Sequence, residues 1–337
     1  MTIHANDVSR PAGIIRLANS FCDAKALLTA VELGLFDTLS AGPADLGQIR
    51  EKLGLDGRGL SDWLDLLVEL GLLERDGDRY RNAAGAGRFL VRGAATYIGG
   101  FLERSNRNLY PAWGRLADAL RTGQPQSGSS FDAVVENPRI LGQFINSMDA
   151  LTRTLGPQLI AAWDGWDRYG SVLDVGGCRG ALAAQIVAAN PNLAGHVFDL
   201  PQMEPFFDGL ATERGLRDRL TFHGGSFFTD PLPPADVVVL GHVLHDWDAG
   251  QREFLIRKAF DSVRPGGTLL IYDRMLDRAS SRVENLVISL DMLLVTDGGS
   301  EYTVAEATGH CLRAGFADAE SRDLGDDDTL VIARKTA

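Results

Sequence analysis

The chain is poor in cysteine and in positive charge, and it contains no long apolar run. Its three cysteines, Cys22, Cys178 and Cys311, are odd in number and widely spaced, which argues against a disulfide framework or a CxxC metal site. Lysine and arginine total 33 against 45 acidic residues, and this net charge of −12 argues against nucleic acids and anionic membranes as partners. No stretch approaches the ~18 apolar residues of a membrane span. Residues 1–10 are polar and lack the apolar core of a signal peptide. Together, these absences favour a cytoplasmic enzyme of about two domains.

The stretch 171–199 predicts the first strand–helix–strand unit of a parallel sheet. An apolar run ends in glycines, residues 181–190 follow with helical periodicity, and a second apolar run ends in an acid. Short apolar runs and helical segments continue to alternate as far as a final strand predicted at Thr329–Ala333. This alternation is typical of an open, doubly wound α/β sheet, which binds its ligands at the carboxyl ends of the strands.

The turn after the first strand indicates the kind of ligand. Gly176, Gly177 and Gly180 let the backbone approach a ligand closely. Their spacing is GGxxG rather than the GxGxxG of a dinucleotide site. Asp174 brings negative charge to the same place, which repels a pyrophosphate and attracts a sulfonium or ammonium group. Asp199 ends the second strand, where an acid can accept both ribose hydroxyls. The pattern favours S-adenosylmethionine; the alternative is a glycine turn that only closes a tight connection.

The N-terminal part has a winged-helix pattern. One long helix is predicted over Pro11–Leu39, interrupted at Gly34 and ended by Gly42 and Pro43. Shorter amphipathic helices are predicted over 44–53 and 59–70, and a hairpin turn at Asp76 and Gly77. A helix that reads DNA needs basic or amide side chains, whereas 59–70 carries three acids and no base. A dimer face or ordinary core packing therefore explains this part better than DNA binding.

Two further segments lie at the predicted carboxyl ends of strands. Residues 224–228 contain two phenylalanines that can pack on an adenine, and residues 241–248 contain two histidines. His245 is a candidate general base, because histidine is the commonest residue in that role. His242, His245 and Asp246 also raise a metal site as an alternative, but no third ligand with a supporting pattern is evident.

The runs LDVGGCRG, FDLP, GSFFTDPLPPADVVVLGHVLHDWD, VRPGGTLLIYD, DGGSEYT and AGF resemble the small-molecule O-methyltransferases of the caffeate and acetylserotonin type and their bacterial antibiotic-tailoring relatives. The similarity covers essentially the whole chain, and HDW together with FDLP is its specific part. It implies a Rossmann-like α/β methyltransferase sheet with an N-terminal, mostly helical winged-helix dimerisation domain. The implied divisions are a dimerisation domain over 1–100, a helical connector to the substrate pocket over 101–165, and an S-adenosylmethionine-binding catalytic domain over 166–337. A homodimer that methylates a hydroxyl of an aromatic secondary metabolite is expected.

The resemblance also implies roles for individual residues. The general base falls on His245, and the two acids that hold and polarise it fall on Asp273 and Glu301. The residues expected to frame the acceptor are Phe144, Met148 and Asp246, and no metal is expected. The residues expected to bind the cofactor are Asp174, Gly176, Gly177, Gly180, Asp199, Leu200, Gly225, Ser226, Phe227 and Gly241.

Three positions depart from the family pattern. Cys178 stands where the family has a third glycine, Ser226 where an acid is common, and Gly241 where a lysine is often found. Each change could weaken cofactor binding. The sequence therefore leaves three alternatives open: C- or N-methylation on the same fold, with or without a metal; a relative that has lost methyl transfer; and a regulator that senses a nucleoside.

Overall fold

The computed structural model describes residues 8–94, 96–127, 131–277 and 282–337, and only the backbone of 131–133. The chain divides into two compact units, Met1–Arg107 and Asn108–Ala337. Residues 108–165 thus belong to the same unit as the sheet, and the three-part division at 100 and 165 stays a prediction. Within the described ranges, no helix combines the length and apolarity that a bilayer crossing requires.

The first unit is mostly helical, with a small three-stranded antiparallel sheet in the order β1-β3-β2. Its elements are α1 (Pro11–Ala18), α2 (Ser20–Glu32), α3 (Leu35–Ser40), β1 (Ala44–Asp45), α4 (Leu46–Leu53), α5 (Leu60–Glu69), β2 (Leu73–Asp76), β3 (Arg79–Asn82), α6 (Ala84–Phe89) and α7 (Gly99–Arg104).

The long helix predicted over Pro11–Leu39, with an interruption at Gly34, is three helices in the structure. The first break is at Asn19. The second is at Gly34, whose φ of +71° is the left-handed conformation that glycine adopts without a Cβ penalty. α1 buries none of its residues and leaves apolar side chains exposed. An exposed apolar face of this kind is typical of a protein contact surface.

The hairpin predicted at Asp76 and Gly77 is confirmed as the β2–β3 pair. An acid of α5 holds this hairpin: Asp65 accepts hydrogen bonds from Tyr80 and Arg75, both at 2.9 Å. One of the three acids of α5 therefore has structural partners within its own unit.

The second unit contains the large sheet. A π-helical turn, Ser105–Leu109, runs across the boundary between the units. The helices and strands after it are α8 (Tyr110–Trp113), α9 (Leu116–Thr122), α10 (Phe131–Glu136), α11 (Pro138–Ala162), β4 (Ser171–Val175), α12 (Ala181–Ala189), β5 (Ala194–Asp199), α13 (Glu204–Glu213), β6 (Leu220–Gly224), β7 (Ala235–Gly241), α14 (Ala249–Ser262), β8 (Val263–Asp273), α15 (Val283–Val295), α16 (Val304–Ala314), β9 (Asp318–Leu324) and β10 (Asp328–Arg334).

The seven strands of this sheet lie in the order β6-β5-β4-β7-β8-β10-β9. β6, β5, β4, β7 and β8 pair in parallel, and β10 is antiparallel to both β8 and β9. The strand order reverses at β4, whose neighbours are β5 on one side and β7 on the other. In such a sheet the ligand crevice opens at this switch point, beyond the carboxyl ends of the strands.

Apolar side chains cover both faces of the sheet, as expected for parallel strands that are buried on each side. One cluster joins the sheet to α11 and α12, and the other joins it to α14 and α16. The doubly wound α/β fold is thereby confirmed. Both clusters fix the strand ends rigidly, which is what a site built on those ends requires.

Candidate active site

The glycine turn after β4 is closed by an acid from the neighbouring strand. Gly176 and Cys178 both have positive φ, +71° and +53°. Asp199 at the end of β5 accepts a hydrogen bond from the Cys178 N–H through Oδ2 and one from the Leu200 N–H through Oδ1, each at 2.7 Å. The turn therefore forms although a cysteine replaces the third glycine, and the carboxylate is fixed facing the crevice edge.

The same turn fits a cationic nucleoside. A Cβ on Gly176 would lie 2.7 Å from Val243, and a Cβ on Gly177 would lie 2.6 Å from the Asp174 carboxyl, so only glycine permits this backbone path. Asp174 is buried, and its Oδ2 has no hydrogen-bond partner among the described residues. An unpaired buried carboxylate oxygen beside a glycine cradle suits a positively charged ligand.

Burial, followed by the negative charge of Asp199, raises the pKa of Asp174 to about 7. Burial also raises the pKa of Asp199, to about 6. A cation bound nearby favours the ionised forms and so opposes both shifts.

We therefore expect the affinity for S-adenosylmethionine to depend on pH. Asp174 loses its proton as the pH rises through about 7, so the dissociation constant should fall over that range and level off above it. Calorimetry at several pH values measures this. Asp174→Asn should flatten the dependence, whereas the exposed Asp167→Asn should leave it intact; an unchanged slope in Asp174→Asn would contradict the assignment.

The segment after β6 contains the residues that are predicted to pack on the adenine of the donor. Ser226 donates its N–H to Asp230 Oδ2 at 2.9 Å, so an acid four residues on caps this turn. The Phe227 carbonyl accepts a hydrogen bond from Lys258 Nζ at 2.6 Å, and its ring meets Trp247 edge-on at 5.8 Å. A Cβ on Gly225 would lie 3.0 Å from Phe198. Asp230 and Lys258 were not predicted: Asp230 lies within the run that begins GSFFTDP but was given no role, and Lys258 lies outside the runs that carry the resemblance.

Gly241, at the end of β7, is explained by a neighbour on β8. A Cβ there would lie 2.0 Å from the Tyr272 ring, which occupies the space of a side chain. The tyrosine also meets the His242 ring edge-on at 5.3 Å. The Tyr272 ring thus fills the space that a lysine side chain at position 241 would need.

The predicted base and both predicted acids come together. His245 lies in the turn after β7, and its Nδ1 is 2.7 Å from Glu301 Oε1 and 3.5 Å from Asp273 Oδ1. The exposed fractions are 7% for His245, 0% for Asp273 and 5% for Glu301. Tyr302 donates to Asp273 Oδ2 at 2.5 Å. With Nδ1 bound by an acid, Nε2 is the nitrogen left for a proton from a substrate.

Gly299 allows the loop that carries Glu301 to approach the His245 turn closely. The Ser300 N–H donates to the His245 carbonyl at 2.9 Å, and a Cβ on Gly299 would lie 2.7 Å from that same carbonyl. Arg252 ties the two segments by donating to the Trp247 carbonyl at 2.7 Å and to the Ser300 carbonyl at 3.1 Å. The loop before α16 is therefore clamped onto the histidine turn through backbone contacts.

The surrounding charges determine the basicity of the imidazole. Burial opposes the imidazolium, but the carboxylates of Asp273 and Glu301 outweigh it and raise the pKa of His245 to about 10. Burial also raises the pKa of Asp273, against the lowering effect of His245. The His245 imidazole is therefore a strong base that lies next to the side chains of Asp273 and Glu301.

His242 joins the same group from the other side. Its Nδ1 lies 3.7 Å from Asp273 Oδ1 and its Nε2 lies 3.1 Å from Asp328 Oδ1. One atom each of His242, His245 and Asp273 lies within 4.8 Å of the others, a geometry that a metal ion could also use. The third candidate ligand beside the two histidines is Asp273 in the structure, whereas the sequence placed Asp246 next to them. The absence of a metal stays a prediction.

The three residues predicted to frame the acceptor lie in the same unit. Phe144 on α11 and Cys178 of the glycine turn both pack against the same small buried cluster, and Met148 lies one helical turn further on from Phe144, half-buried. Asp246 Oδ1 is 3.8 Å from His245 Nε2. A buried ion pair between Asp149 and Arg179, which was not predicted, joins α11 to the glycine turn. Their contact with a substrate stays a prediction.

Comparisons with known proteins agree with this architecture. A family model described as an O-methyltransferase domain matches residues 113–317, and one described as an O-methyltransferase dimerisation domain matches residues 15–92. The tetracenomycin polyketide synthesis 8-O-methyl transferase of Streptomyces glaucescens is 44% identical over 99% of both chains. An N,N-dimethyltransferase of Streptomyces rimosus is 39% identical over 97% of both. The structure of human N-acetylserotonin methyltransferase in complex with S-adenosylmethionine superposes with a TM-score of 0.87 at 28% identity, covering 100% of both chains.

Proposed function

Because the chain belongs to the O-methyltransferase family, we propose that it methylates a hydroxyl group of an aromatic secondary metabolite, with His245 as general base. S-adenosylmethionine is the methyl donor of this family and supplies an electrophilic methyl group when it is bound. The proposal rests mainly on the buried group of His245, Glu301 and Asp273 at the carboxyl end of the sheet. A 44% identical relative that acts in tetracenomycin synthesis supports an aromatic polyketide as the acceptor.

The acids beside His245 reduce the free-energy cost of moving the acceptor proton to the imidazole. A phenol has a pKa of about 10 and an ordinary histidine about 6.5, so proton transfer between them is uphill by ~3.5 units, or roughly 5 kcal/mol. Here the pKa of His245 is raised to about 10. Once the imidazole is neutral, its pKa closely matches that of an aromatic hydroxyl, and the proton moves between them without a large penalty.

Each side chain then has a distinct task. His245 Nε2 takes the proton of the acceptor hydroxyl, Glu301 fixes the ring through Nδ1, and Asp273 stabilises the charge that develops on the imidazole. Asp199 would hold the ribose, while Asp174 and the glycine turn would hold the cationic end of the donor. The residues present thus fit S-adenosylmethionine and leave the base on the acceptor side.

Product analysis tests this function. The purified protein is incubated with S-adenosylmethionine and a panel of polyhydroxylated aromatic polyketides, and mass spectrometry with NMR identifies the methylated atom. An O-methyl product is expected. Transfer confined to carbon or nitrogen atoms, or release of S-adenosylhomocysteine with no methylated product, would contradict the proposal.

The pH dependence of Glu301→Gln tests the role of this acid. The rate rises with pH as His245 becomes neutral, and removing one carboxylate makes the imidazolium less stable. The midpoint of the acidic limb should therefore fall by roughly 1–3 pH units, with a lower plateau. The exposed Glu213→Gln is the matched control for a lost charge and should reproduce the unaltered midpoint. A midpoint that stays in place in Glu301→Gln would remove this acid from the mechanism.

N-methylation is a second candidate, favoured by the 39% identity to an N,N-dimethyltransferase. A neutral amine attacks without first losing a proton, so this reaction depends less on a base than the reaction of a phenol does. Amine acceptors in the same assay distinguish the two: His245→Gln should retain most of an N-methylating activity and almost none of an O-methylating one.

A homodimer is the proposed assembly. The exposed apolar face of α1 and the match of residues 15–92 to a dimerisation domain support it. Light scattering of the purified protein should give twice the chain mass, and a monomer at micromolar concentration would contradict this. The cytoplasmic location stays a prediction from the sequence.

A further inference from the structure

His242 adopts a left-handed backbone conformation. Its φ of +51° lies in the left-handed region, where a side chain beyond glycine is disfavoured. Its N–H nevertheless donates to the Tyr272 carbonyl at 3.0 Å, which anchors the segment. Such a conformation persists where the surroundings determine it, and it is characteristic of functional sites.

The imidazole of His242 lies between two buried carboxylates from neighbouring strands. Asp328 begins β10 and is 6% exposed, and Asp273 ends β8 and is 0% exposed. The antiparallel register pairs Thr329 with Asp273, which brings the start of β10 to the carboxyl end of β8. The ring is 3.1 Å from one carboxylate and 3.7 Å from the other.

Several ionisable groups surround the His242 ring. It faces Asp273, Asp328, His245 and the hydroxyl-bearing ring of Tyr272, with Glu301 beyond His245. Four atoms here make no hydrogen bond of good geometry within the described part of the chain: His242 Nε2, Asp273 Oδ1, Asp328 Oδ1 and Glu301 Oε2. The His242 ring is thus placed against two of the three buried carboxylates of this group, Asp273 and Asp328.

We propose that His242 and Asp328 form a positioning pair that holds Asp273 ionised and directed at His245. The inference rests on the proposed function, in which His245 is the base. His242 does not touch the acceptor or the donor; it acts through Asp273, whose Oδ1 it shares with His245. Without this pair, Asp273 takes up a proton more readily and His245 loses one of the two charges that make it a strong base.

NMR titration of His245 tests the pair without requiring an acceptor. The full-length protein with labelled histidine is titrated in the presence of S-adenosylhomocysteine, and the His245 signal is assigned by its loss in His245→Gln. His242→Asn is the main variant, because asparagine tolerates left-handed backbone. Asp328→Asn is the second, and His310→Gln is the control for a lost histidine elsewhere in the unit.

The midpoint of the His245 titration should fall by roughly a pH unit or more in His242→Asn, and in the same direction in Asp328→Asn. It should stay in place in His310→Gln. In an Asp273→Asn background, His242→Asn should have no further effect, because its target is gone. The dissociation constant for S-adenosylhomocysteine should change less than twofold in all of them.

An unchanged His245 midpoint in both His242→Asn and Asp328→Asn would overturn the inference, as would additive effects in the Asp273→Asn background. A stoichiometric metal ion in the purified protein, lost together with His242, would also overturn it, because the ring would then be a ligand. Failure of the proposed function gives a different result: His245→Gln would keep its rate of O-methyl transfer, whatever His242 does.

Discussion

Replacement of His245 by glutamine should lower kcat for O-methyl transfer by on the order of 10³-fold, within the 10²–10⁴ that general bases contribute. Glutamine cannot accept the proton of the acceptor hydroxyl, and the two acids behind it have no imidazolium to stabilise. His245→Ala should give a similar loss. The rate is measured as S-adenosylhomocysteine released in the presence of the acceptor.

The dissociation constant for S-adenosylmethionine is the control in both variants. It should stay within a few-fold of its original value, because the proposed donor contacts lie on the glycine turn and at the end of β5 rather than on the imidazole. His310→Gln, on α16, should keep full activity. Near-normal rates in both His245 variants would reject the assignment of the base.

Replacement of Asp199 by alanine should raise the dissociation constant for S-adenosylmethionine by on the order of 10²-fold. Hydrogen bonds to a charged group contribute about 1.5–3 kcal/mol each, and this carboxylate would accept from the ribose. It also fixes the N–H groups of Cys178 and Leu200, each at 2.7 Å. The loss therefore affects both the ligand and the shape of the turn.

Asp199→Asn separates these two effects. The amide keeps one oxygen acceptor for the turn but no longer offers a charged group to the ribose, so an intermediate loss is expected. The exposed Asp208→Ala on α13 is the matched control, and calorimetry is the measurement. An unaltered affinity in Asp199→Ala would show that the donor binds elsewhere.

Features that depend on local periodicity were predicted correctly. The unit from β4 to β5 follows from two apolar runs, a glycine turn and a helical segment. Asp199 and His245 were singled out because the first ends a predicted strand and the second lies in the segment that follows one, and parallel strands place their functional residues at these carboxyl ends. Glu301 was named only through the family resemblance of the run DGGSEYT, and the structure adds that Gly299 allows the close backbone approach of this loop to the His245 carbonyl.

Features that depend on strand direction could not be predicted. β9 is almost entirely exposed, so it has no apolar pattern. β10 has one, but its antiparallel direction cannot be read from its residues, and only that direction brings Asp328 to the site. In Pro11–Leu39 the interruption at Gly34 was predicted, but the break at Asn19 was not, because the apolar spacing continues across it.

Contacts between segments that are distant in the sequence also could not be predicted. Gly241 was interpreted as the loss of a contact, yet the Tyr272 ring already occupies that space. The hydrogen bond from Ser226 to Asp230 and the ion pair of Asp149 and Arg179 likewise join residues whose spacing has no motif.

The central claim is that a cationic methyl donor binds over the glycine turn, with the His245 imidazole facing the acceptor. A crystal structure with S-adenosylhomocysteine and a phenolic acceptor measures this directly. We predict the ribose hydroxyls on Asp199, the sulfur near Gly176, and the acceptor oxygen within hydrogen-bond distance of His245 Nε2. A ligand bound away from the turn, or an acceptor oxygen held by another group with the imidazole out of reach, would contradict the claim.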